Sequence, residues 1–293
     1  MRSGTGFRKR SYIGKLIGLT ALTALAVSAS QVIAAERISL TRQDGQSVPA
    51  LVYQNAGACQ GVAIISHGAG GSEKGYVYLA EFMAKEGFLS VVPGHLESGR
   101  QSLREARRGG SLQDGLTELV TDAPAYVARL MDIHAARHWA ASRCTGRRAV
   151  LLGHSMGAAV AMMEAGADNK MGVTGTASFD AYIALSPQGE GLIFPAHAWY
   201  KISKPVLLMT GTRDDDLAHA SWRTRTEPFA DMSRGCKWLG VVNGASHMNF
   251  GGNGLSRRTE ALTTQTIHAF LQGAQSGNCA ALPPLSGMEL KTK

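Results

Sequence analysis

Apolar and polar residues are arranged along the chain in patterns that predict β-strands. Two segments near the start, residues 37–42 and 47–53, alternate apolar with polar positions around an Asp44-Gly45 turn signal, which predicts an antiparallel hairpin. Six predominantly apolar runs follow, at residues 61–66, 88–92, 147–152, 180–186, 204–210 and 237–242. Such runs are typical of strands that are buried on both faces of a sheet.

Apolar residues recur at helical spacing between several of these runs. The spacing predicts a helix at residues 78–83 and a closing helix at residues 256–273. It also predicts a long helix, or a broken pair of helices, at residues 116–141, with Pro124 near a start or a kink. Because strands and helices alternate, we expect an α/β domain with a mostly parallel sheet of about eight strands and helices on both faces. Ligands of such sheets bind at the carboxyl ends of the strands.

Two stretches show no such periodicity. Residues 94–115 are polar, basic and rich in glycine, and are expected to form a loop on the side where the strands end. Residues 280–293 are expected to form a loose tail.

The first 35 residues have the composition of a signal peptide. Five basic residues precede an apolar stretch, Leu16 to Ala29, which is too short to span a bilayer comfortably, and small residues at 32–35 offer cleavage sites. The alternative is an uncleaved anchor. We expect export to a periplasm or the medium, with residues 36–293 as a single domain and no membrane association after the segment is removed.

Net charge argues against nucleic-acid binding once this segment is set aside. The whole chain carries a formal charge of +8, but residues 1–35 hold five of its 30 basic residues and none of its 22 acidic ones. The remaining chain therefore carries +3, which is ordinary for a protein surface.

A Gly-x-Ser-x-Gly motif follows the apolar run at 147–152. The motif is Gly153-His154-Ser155-Met156-Gly157, and a run of small residues comes after it. This order predicts a buried strand, a sharp turn and a helix. The two glycines supply turn positions without a Cβ, and the helix N-terminus points at the raised serine hydroxyl, where it would stabilise a developing oxyanion. Ser155 is therefore a candidate nucleophile.

A serine nucleophile needs a histidine to accept its proton and an acid to orient that histidine. Of nine histidines, His247 follows the last predicted strand, and Asp214 follows the strand before it. Both therefore lie at carboxyl ends of strands, in the chain order serine, aspartate, histidine. Asp215 and Asp216 are alternatives for the acid, and either could instead cap the following helix.

Four motifs in this order resemble those of the α/β-hydrolase superfamily, and most closely its small esterase and dienelactone-hydrolase-like branch. The resemblance runs from about residue 38 to residue 272 and rests on Ser66-His67-Gly68-Ala69-Gly70-Gly71, Gly153-His154-Ser155-Met156-Gly157, Gly211-Thr212-Arg213-Asp214 and Gly244-Ala245-Ser246-His247. It implies that Ser155 is the nucleophile, His247 the general base and then acid, and Asp214 the orienting acid.

Some relatives place the acid after the sixth strand, where Glu190 lies.

Dienelactone hydrolases proper use cysteine as the nucleophile, so a serine indicates ordinary esters.

The resemblance also implies the oxyanion hole and the surroundings of the substrate. Met156 N–H follows the nucleophile, and Ala69 N–H lies in the loop that His67 helps to hold. About seventeen residues, 187–203, join the sixth and seventh strands where larger relatives insert a lid. We therefore expect an open site lined by Phe194, Trp199 and Tyr200.

These residues predict a serine esterase that acts on a small-molecule ester and needs neither metal nor organic cofactor. A peptidase or amidase, a cutinase-like polyester hydrolase, and a non-catalytic binding protein of the same fold are the alternatives.

Two further patterns are weaker. His134 and His138 stand four residues apart on a predicted helix, but without a third ligand they indicate a solvated face rather than a zinc site. The four arginines of the 94–115 stretch could meet an acidic substrate, although a solvated loop is the simpler interpretation; they are Arg100, Arg104, Arg107 and Arg108.

Four cysteines allow two disulfides in three connectivities. In the fold that the resemblance implies, Cys59 and Cys144 precede neighbouring parallel strands, and Cys236 begins the last strand, to whose start the closing helix returns Cys279. We therefore predict Cys59–Cys144 and Cys236–Cys279, at the sheet edge opposite the chemistry, each adding ~2–4 kcal/mol of stability.

Overall fold

The structure is a computed structural model that describes residues 1, 4, 6, 35–54, 56–108, 110–215, 221–252, 254–279 and 285–293. The predicted signal peptide, residues 1–35, lies almost entirely outside the described residues. Within the described ranges, no helix is both long enough and apolar enough to cross a membrane.

In the described part of the chain, nine strands form one mostly parallel sheet. They are β1 (Glu36–Thr41), β2 (Ser47–Tyr53), β3 (Gly61–Ser66), β4 (Phe88–Pro93), β5 (Arg148–His154), β6 (Ala181–Leu185), β7 (Val206–Arg213), β8 (Lys237–Ser246) and β9 (Met288–Thr292). Their order across the sheet is β1-β2-β4-β3-β5-β6-β7-β8-β9. Strands β4, β3, β5, β6, β7 and β8 run parallel, whereas β1, β2 and β9 pair antiparallel at the two edges. The predicted fold class and all eight predicted strands are confirmed.

The ninth strand corrects the prediction of a loose tail. Residues 288–292 pair with β8, with Met288 opposite Val242 and Thr292 opposite Trp238. Met288 is buried and Leu290 is partly buried against the same core. The alternation of these two apolar residues with Glu289 and Lys291 is the period of a half-buried strand, and it covers the edge that β8 would otherwise expose.

Seven α-helices occur among the residues that the structure describes. They are α1 (Val77–Lys85), α2 (Arg100–Ala106), α3 (Leu112–Val120), α4 (Ala123–Ala141), α5 (Met156–Glu164), α6 (Glu227–Asp231) and α7 (Arg257–Ser276). Helices α1 and α7 pack on one face and α4 and α5 on the other. In β3, Val62 and Ile64 face one core while Ala63 and Ile65 face the other, as expected of a central strand.

The polar stretch 94–115 contains more structure than was predicted. Helix α2 and the beginning of α3 lie in it, and Ser111 starts α3 with a reciprocal capping box to Asp114. The long helical pattern is a broken pair, because α3 ends at Val120 and Pro124 lies in the first turn of α4, where proline is tolerated.

Both predicted disulfides are present. The Cα atoms are 5.4 Å apart in Cys59–Cys144 and 5.3 Å apart in Cys236–Cys279. Three of the four cysteines lie just before the first residues of β3, β5 and β8. The bridges therefore lie at the amino ends of the strands, opposite the edge where β5, β7 and β8 deliver the candidate catalytic residues.

Candidate active site

Ser155 lies in a strained turn between β5 and α5. Its backbone has φ 55° and ψ −120°, a conformation that residues other than glycine rarely adopt. The turn is tight because a Cβ on Gly153 would collide with the Gly157 carbonyl, and one on Gly157 would collide with the Ser66 carbonyl. The Ser155 N–H donates to the Leu185 carbonyl at 3.0 Å, which fixes the turn to the neighbouring strand.

The structure brings His247 and Asp214 together as predicted. His247 Nδ1 lies 2.9 Å from Asp214 Oδ1, and Thr210 Oγ1 donates to the other carboxylate oxygen at 2.9 Å. Asp214 is fully buried, whereas the His247 side chain is 30% exposed. A buried, hydrogen-bonded carboxylate holds the imidazole in one orientation and leaves its Nε2 edge to meet a serine.

Arg225 completes this pair and was not predicted. Its Nε lies 2.9 Å from Asp214 Oδ1 and donates to the Asp214 carbonyl at 2.6 Å. The same buried guanidinium donates to the carbonyls of Ser186 and Pro187 at 3.1 and 3.0 Å. Burial alone would raise the pKa of Asp214, but the His247 hydrogen bond and the Arg225 charge outweigh it, and the pKa lies below its usual value. Nothing in the sequence distinguishes Arg225 from the exposed Arg223.

The alternative acids lie elsewhere or outside the described residues. Asp215 Oδ1 accepts the Trp222 N–H at 3.0 Å, so it stabilises the next helical turn, which is the capping role considered for it. Asp216 lies outside the described residues. Glu190 is exposed, and its N–H donates to Glu227.

The loop after β3 lies against the nucleophile. A Cβ built on Gly68 would stand 3.3 Å from Ser155 Cβ. The Gly68, Gly70 and Gly71 N–H groups donate to Tyr76, Ser98 and Gly68 respectively, whereas the Ala69 N–H has no hydrogen-bond partner within the described part of the chain. We call residues 67–71 the oxyanion loop, after the role predicted for Ala69.

Three donors orient the peptide that carries the Ala69 N–H. The Gly68 carbonyl accepts His67 Nδ1–H at 2.7 Å, the Gly71 N–H at 3.1 Å and Arg129 at 3.3 Å. Because C=O and N–H point in opposite directions across a trans peptide, fixing this carbonyl also fixes the direction of the Ala69 N–H. Met156 is the first residue of α5, so its N–H has no acceptor within the helix. These features favour the two predicted oxyanion donors.

His67 has the structural role that was predicted for it. It is fully buried, and its Nε2 accepts the His95 N–H at 3.1 Å. Burial, together with the nearby charge of Arg129, lowers the pKa of His67 to about 3. A neutral ring that is already bonded on both nitrogens holds the loop and takes no part in proton transfer.

A second serine–histidine–aspartate chain lies beneath the oxyanion loop. Ser66 Oγ lies 2.8 Å from His95 Nε2, and His95 Nδ1 lies 2.8 Å from Asp132 Oδ2. Arg129 donates to Ser66 Oγ at 3.2 Å and to the His67 carbonyl at 2.6 Å. None of these side chains reaches the surface. We call Ser66, His95 and Asp132 the buried chain.

Two of the three predicted substrate residues are in the core. Phe194 and Trp199 are both 0% exposed, and their rings pack on each other with centroids 5.2 Å apart. They therefore do not line an open site; the sequence marked them as large and apolar, which suits a core equally well. Tyr200 is 51% exposed, and its contact with substrate stays a prediction.

The residues of the two weaker sequence patterns, the histidine pair and the four arginines, lie at the protein surface. His134 Nε2 lies 3.3 Å from Glu164 Oε2, and no cluster of three or more metal-ligating residues occurs among the residues that the structure describes. The four arginines of the 94–115 stretch are exposed. Arg100 lines a cavity of about 400 Å³ beside the oxyanion loop together with Glu73, Glu97 and Glu105, and this acidic lining does not favour an acidic substrate.

The sequence matches the model of the alpha/beta hydrolase family over residues 63–274. No curated protein gives a significant match.

Several solved structures are similar. A candidate dienelactone hydrolase from Klebsiella pneumoniae subsp. pneumoniae MGH 78578 has a TM-score of 0.59 and 20% identity, covering 83% of this chain and 99% of that one. A cold-adapted esterase from an Arctic intertidal metagenomic library has a TM-score of 0.58 and 17% identity, covering 80% and 92%. A CIB-like hydrolase from Thermoplasma acidophilum has a TM-score of 0.55 and 16% identity, covering 83% and 100%. At these identities the likeness is one of fold.

Proposed function

The chain belongs to the alpha/beta hydrolase family, and on that premise we propose that it is a serine hydrolase that cleaves carboxylic esters. The observation that carries the proposal is the buried Asp214, which is hydrogen-bonded to His247 at 2.9 Å on the same sheet edge as the strained Ser155 turn. A binding protein would gain nothing from a strained serine and an oriented imidazole.

Each residue takes one role in the proposed reaction. Ser155 Oγ attacks the acyl carbon while His247 accepts its proton, and the oxyanion that forms accepts hydrogen bonds from Ala69 and Met156 N–H. His247 then returns the proton to the departing alkoxide, leaving an acyl-serine. Water attacks this ester with His247 again as base, and the carboxylic acid leaves as Ser155 regains its proton.

The geometry supports small esters as substrates. Residues 186–205, which connect β6 to β7, are all described and contain no helix, so no helical lid arises there. The resemblance to esterase structures supports the same substrate class, and the serine nucleophile distinguishes the chain from dienelactone hydrolases that use cysteine.

Active-site labelling tests the proposal. Wild-type protein should react with a fluorophosphonate probe and hydrolyse p-nitrophenyl acetate, whereas Ser155→Ala should do neither while keeping its unfolding midpoint. Ser276→Ala is the matched control, because this exposed serine lies at the end of α7. Paired ester and anilide substrates of the same acyl group separate an esterase from an amidase. A Ser155→Ala variant that hydrolyses the ester at a rate within tenfold of the wild-type rate would exclude the mechanism.

We also propose that the protein is exported and that residues 1–35 are removed. Two disulfides among the described residues suit an oxidising compartment. Intact mass of the protein recovered from the periplasm of a bacterial host tests this: a mass that includes residues 1–35, or its retention in the cytoplasm, would contradict it.

A further inference from the structure

Tyr76 and His154 connect three parts of the candidate site by hydrogen bonds. The Gly68 N–H of the oxyanion loop donates to Tyr76 Oη at 3.1 Å. Tyr76 Oη lies 2.8 Å from His154 Nδ1, and His154 Nε2 lies 3.0 Å from the His247 carbonyl. His154 directly precedes Ser155 in the chain, so the path joins the oxyanion loop, the nucleophile turn and the base. We call it the Tyr76–His154 bridge.

The position of every proton in the bridge follows from its partners. Tyr76 Oη accepts from Gly68, so its own proton is free to donate to His154 Nδ1. His154 Nδ1 is then an acceptor, which leaves the ring proton on Nε2, where it donates to the His247 carbonyl. Burial lowers the pKa of His154 to about 3 and raises that of Tyr76 to about 12. Both groups therefore stay neutral over the pH range in which a serine hydrolase works.

The bridge is held in place on all sides. Tyr76 is 8% exposed and His154 is 4% exposed, and the His154 and His247 ring centroids are 4.8 Å apart. Tyr76 has φ 59°, a left-handed conformation that is uncommon for tyrosine. Such strain persists only where the surroundings impose it, and it is concentrated at functional sites. Here it directs the phenol hydroxyl to Gly68 rather than to solvent.

Gly68 is fixed through both of its peptide groups. Its carbonyl belongs to the peptide of the Ala69 N–H and accepts three hydrogen bonds. Its N–H belongs to the preceding peptide, and Tyr76 is the acceptor for it. Removing the Tyr76 hydroxyl would leave that buried N–H without a partner and free the loop to turn.

Resting on the proposed ester hydrolysis, we propose that Tyr76 and His154 are positioning residues that keep the oxyanion loop and the His247 loop aligned with Ser155. Neither group touches the reacting atoms. Their loss should lower kcat and leave KM unchanged, because the transition state needs the alignment more than the bound ester does.

Three variants remove different hydrogen bonds of the Tyr76–His154 bridge. Tyr76→Phe removes both hydrogen bonds of the phenol. His154→Gln places an amide donor near the former Nε2 and keeps the bond to the His247 carbonyl, whereas His154→Asn places an acceptor near the former Nδ1 and keeps the bond to Tyr76. Tyr126→Phe is the matched control, because this buried hydroxyl donates to the Val120 carbonyl at 3.0 Å on a different helix.

The measurement is kcat per active site, with sites counted by fluorophosphonate titration, on p-nitrophenyl acetate. A merely structural role would lower the number of titratable sites or the unfolding midpoint and leave the rate per site unchanged. We expect Tyr76→Phe to lower kcat per site about tenfold with KM within twofold, and each His154 variant to lower it at least threefold. Tyr126→Phe should keep the wild-type rate.

A double variant tests whether the two residues act as one path. Tyr76→Phe already removes the bond that His154→Gln removes, so the double variant should be no slower than Tyr76→Phe alone. Additive losses, or a Tyr76→Phe rate per site within twofold of wild type, would overturn the bridge. If Tyr76→Phe does not fold, unchanged rates in both His154 variants would overturn it. A wild-type protein that neither labels nor hydrolyses esters would instead overturn the proposed function.

Discussion

The described part of the chain contains two serine–histidine–aspartate sets that differ in access rather than in residue type. In the buried chain, Ser66, His95 and Asp132 are at most 1% exposed and bonded at 2.8 Å. At the candidate site, the His247 side chain is 30% exposed, and Ser155 lies beside an oxyanion loop. Hydrogen bonds among these three residue types are therefore not enough to identify a catalytic site, because a catalytic imidazole must also be reachable by substrate and have oxyanion donors beside it.

The two aspartates also differ in how closely an arginine approaches the carboxylate. Arg225 approaches Asp214 at 2.9 Å, and the pKa of Asp214 falls below its usual value in spite of burial. Arg42 approaches Asp132 at only 3.5 Å and is shared with Asp44 and Glu97. Burial dominates there and raises the pKa of Asp132 to about 8. The His247 hydrogen bond and the close Arg225 charge together keep the buried Asp214 carboxylate ionised, and ionisation is what an orienting acid needs.

Replacing each aspartate by asparagine should give the largest contrast in activity. Asp214→Asn should lower kcat/KM by ~10⁴, the size of effect seen when a triad acid is neutralised, whereas Asp132→Asn should lower it by less than ~10-fold because it acts only through the loop above it. Asp215→Asn is the control. Ester hydrolysis at neutral pH checks the order; a larger loss from Asp215→Asn than from Asp214→Asn would show that the acid is misassigned.

Arg225 should come second in effect. Arg225→Lys keeps a positive charge but cannot reach Asp214 and the Ser186 and Pro187 carbonyls together. We expect kcat to fall by ~10–100-fold, because one lost charge-assisted hydrogen bond at the acid is worth ~1.5–3 kcal/mol. The exposed Arg223→Lys should keep the wild-type kcat. Equal rates in the two variants would show that Arg225 serves only the fold.

The sequence predicted the site to the extent that local chemistry marks it. Close backbone approach requires the glycines on either side of Ser155. His247 and Asp214 could be predicted because each directly follows a strand. The roles of Phe194 and Trp199 were missed because a large apolar residue looks the same in a core and in a cleft. Arg225 and Tyr76 were missed because their partners lie 11 and 78 residues away, and no local pattern encodes such contacts.

Removing the serine of each set should separate stability from activity. Ser66→Ala leaves His95 Nε2 without a partner in the core and removes one of the two hydrogen bonds that Arg129 Nη1 donates, which should cost ~1–3 kcal/mol of unfolding free energy with kcat within ~10-fold of wild type. Ser155→Ala should do the reverse. Urea unfolding and ester hydrolysis on the same samples check both. Abolished hydrolysis in Ser66→Ala with unchanged stability would mean that the buried chain takes part in the chemistry.

The two aspartates should contribute to stability with opposite dependence on pH. Asp132 has a folded pKa of about 8 against 3.8 for the free side chain. Its stabilising contribution is therefore complete below about pH 4, declines as pH rises towards 8, and is lost above that. His95 does not titrate in this window, because burial holds its pKa well below the usual range. Arg42 and Arg129, which lie beside the pair, keep their charges there.

Asp214 should behave in the other direction. Because its folded pKa is lowered from 3.8, its contribution is complete above about pH 5 and is lost as pH falls through the folded value. We expect the gap in unfolding free energy between wild type and Asp132→Asn to shrink between pH 4 and 8, by at most about 1.4 kcal/mol per pH unit. The gap to Asp214→Asn should stay constant above about pH 5 and shrink only as pH falls below that value. If the difference in unfolding free energy from wild type changed with pH in the same way for both variants, the opposite electrostatics of the two sets would be refuted.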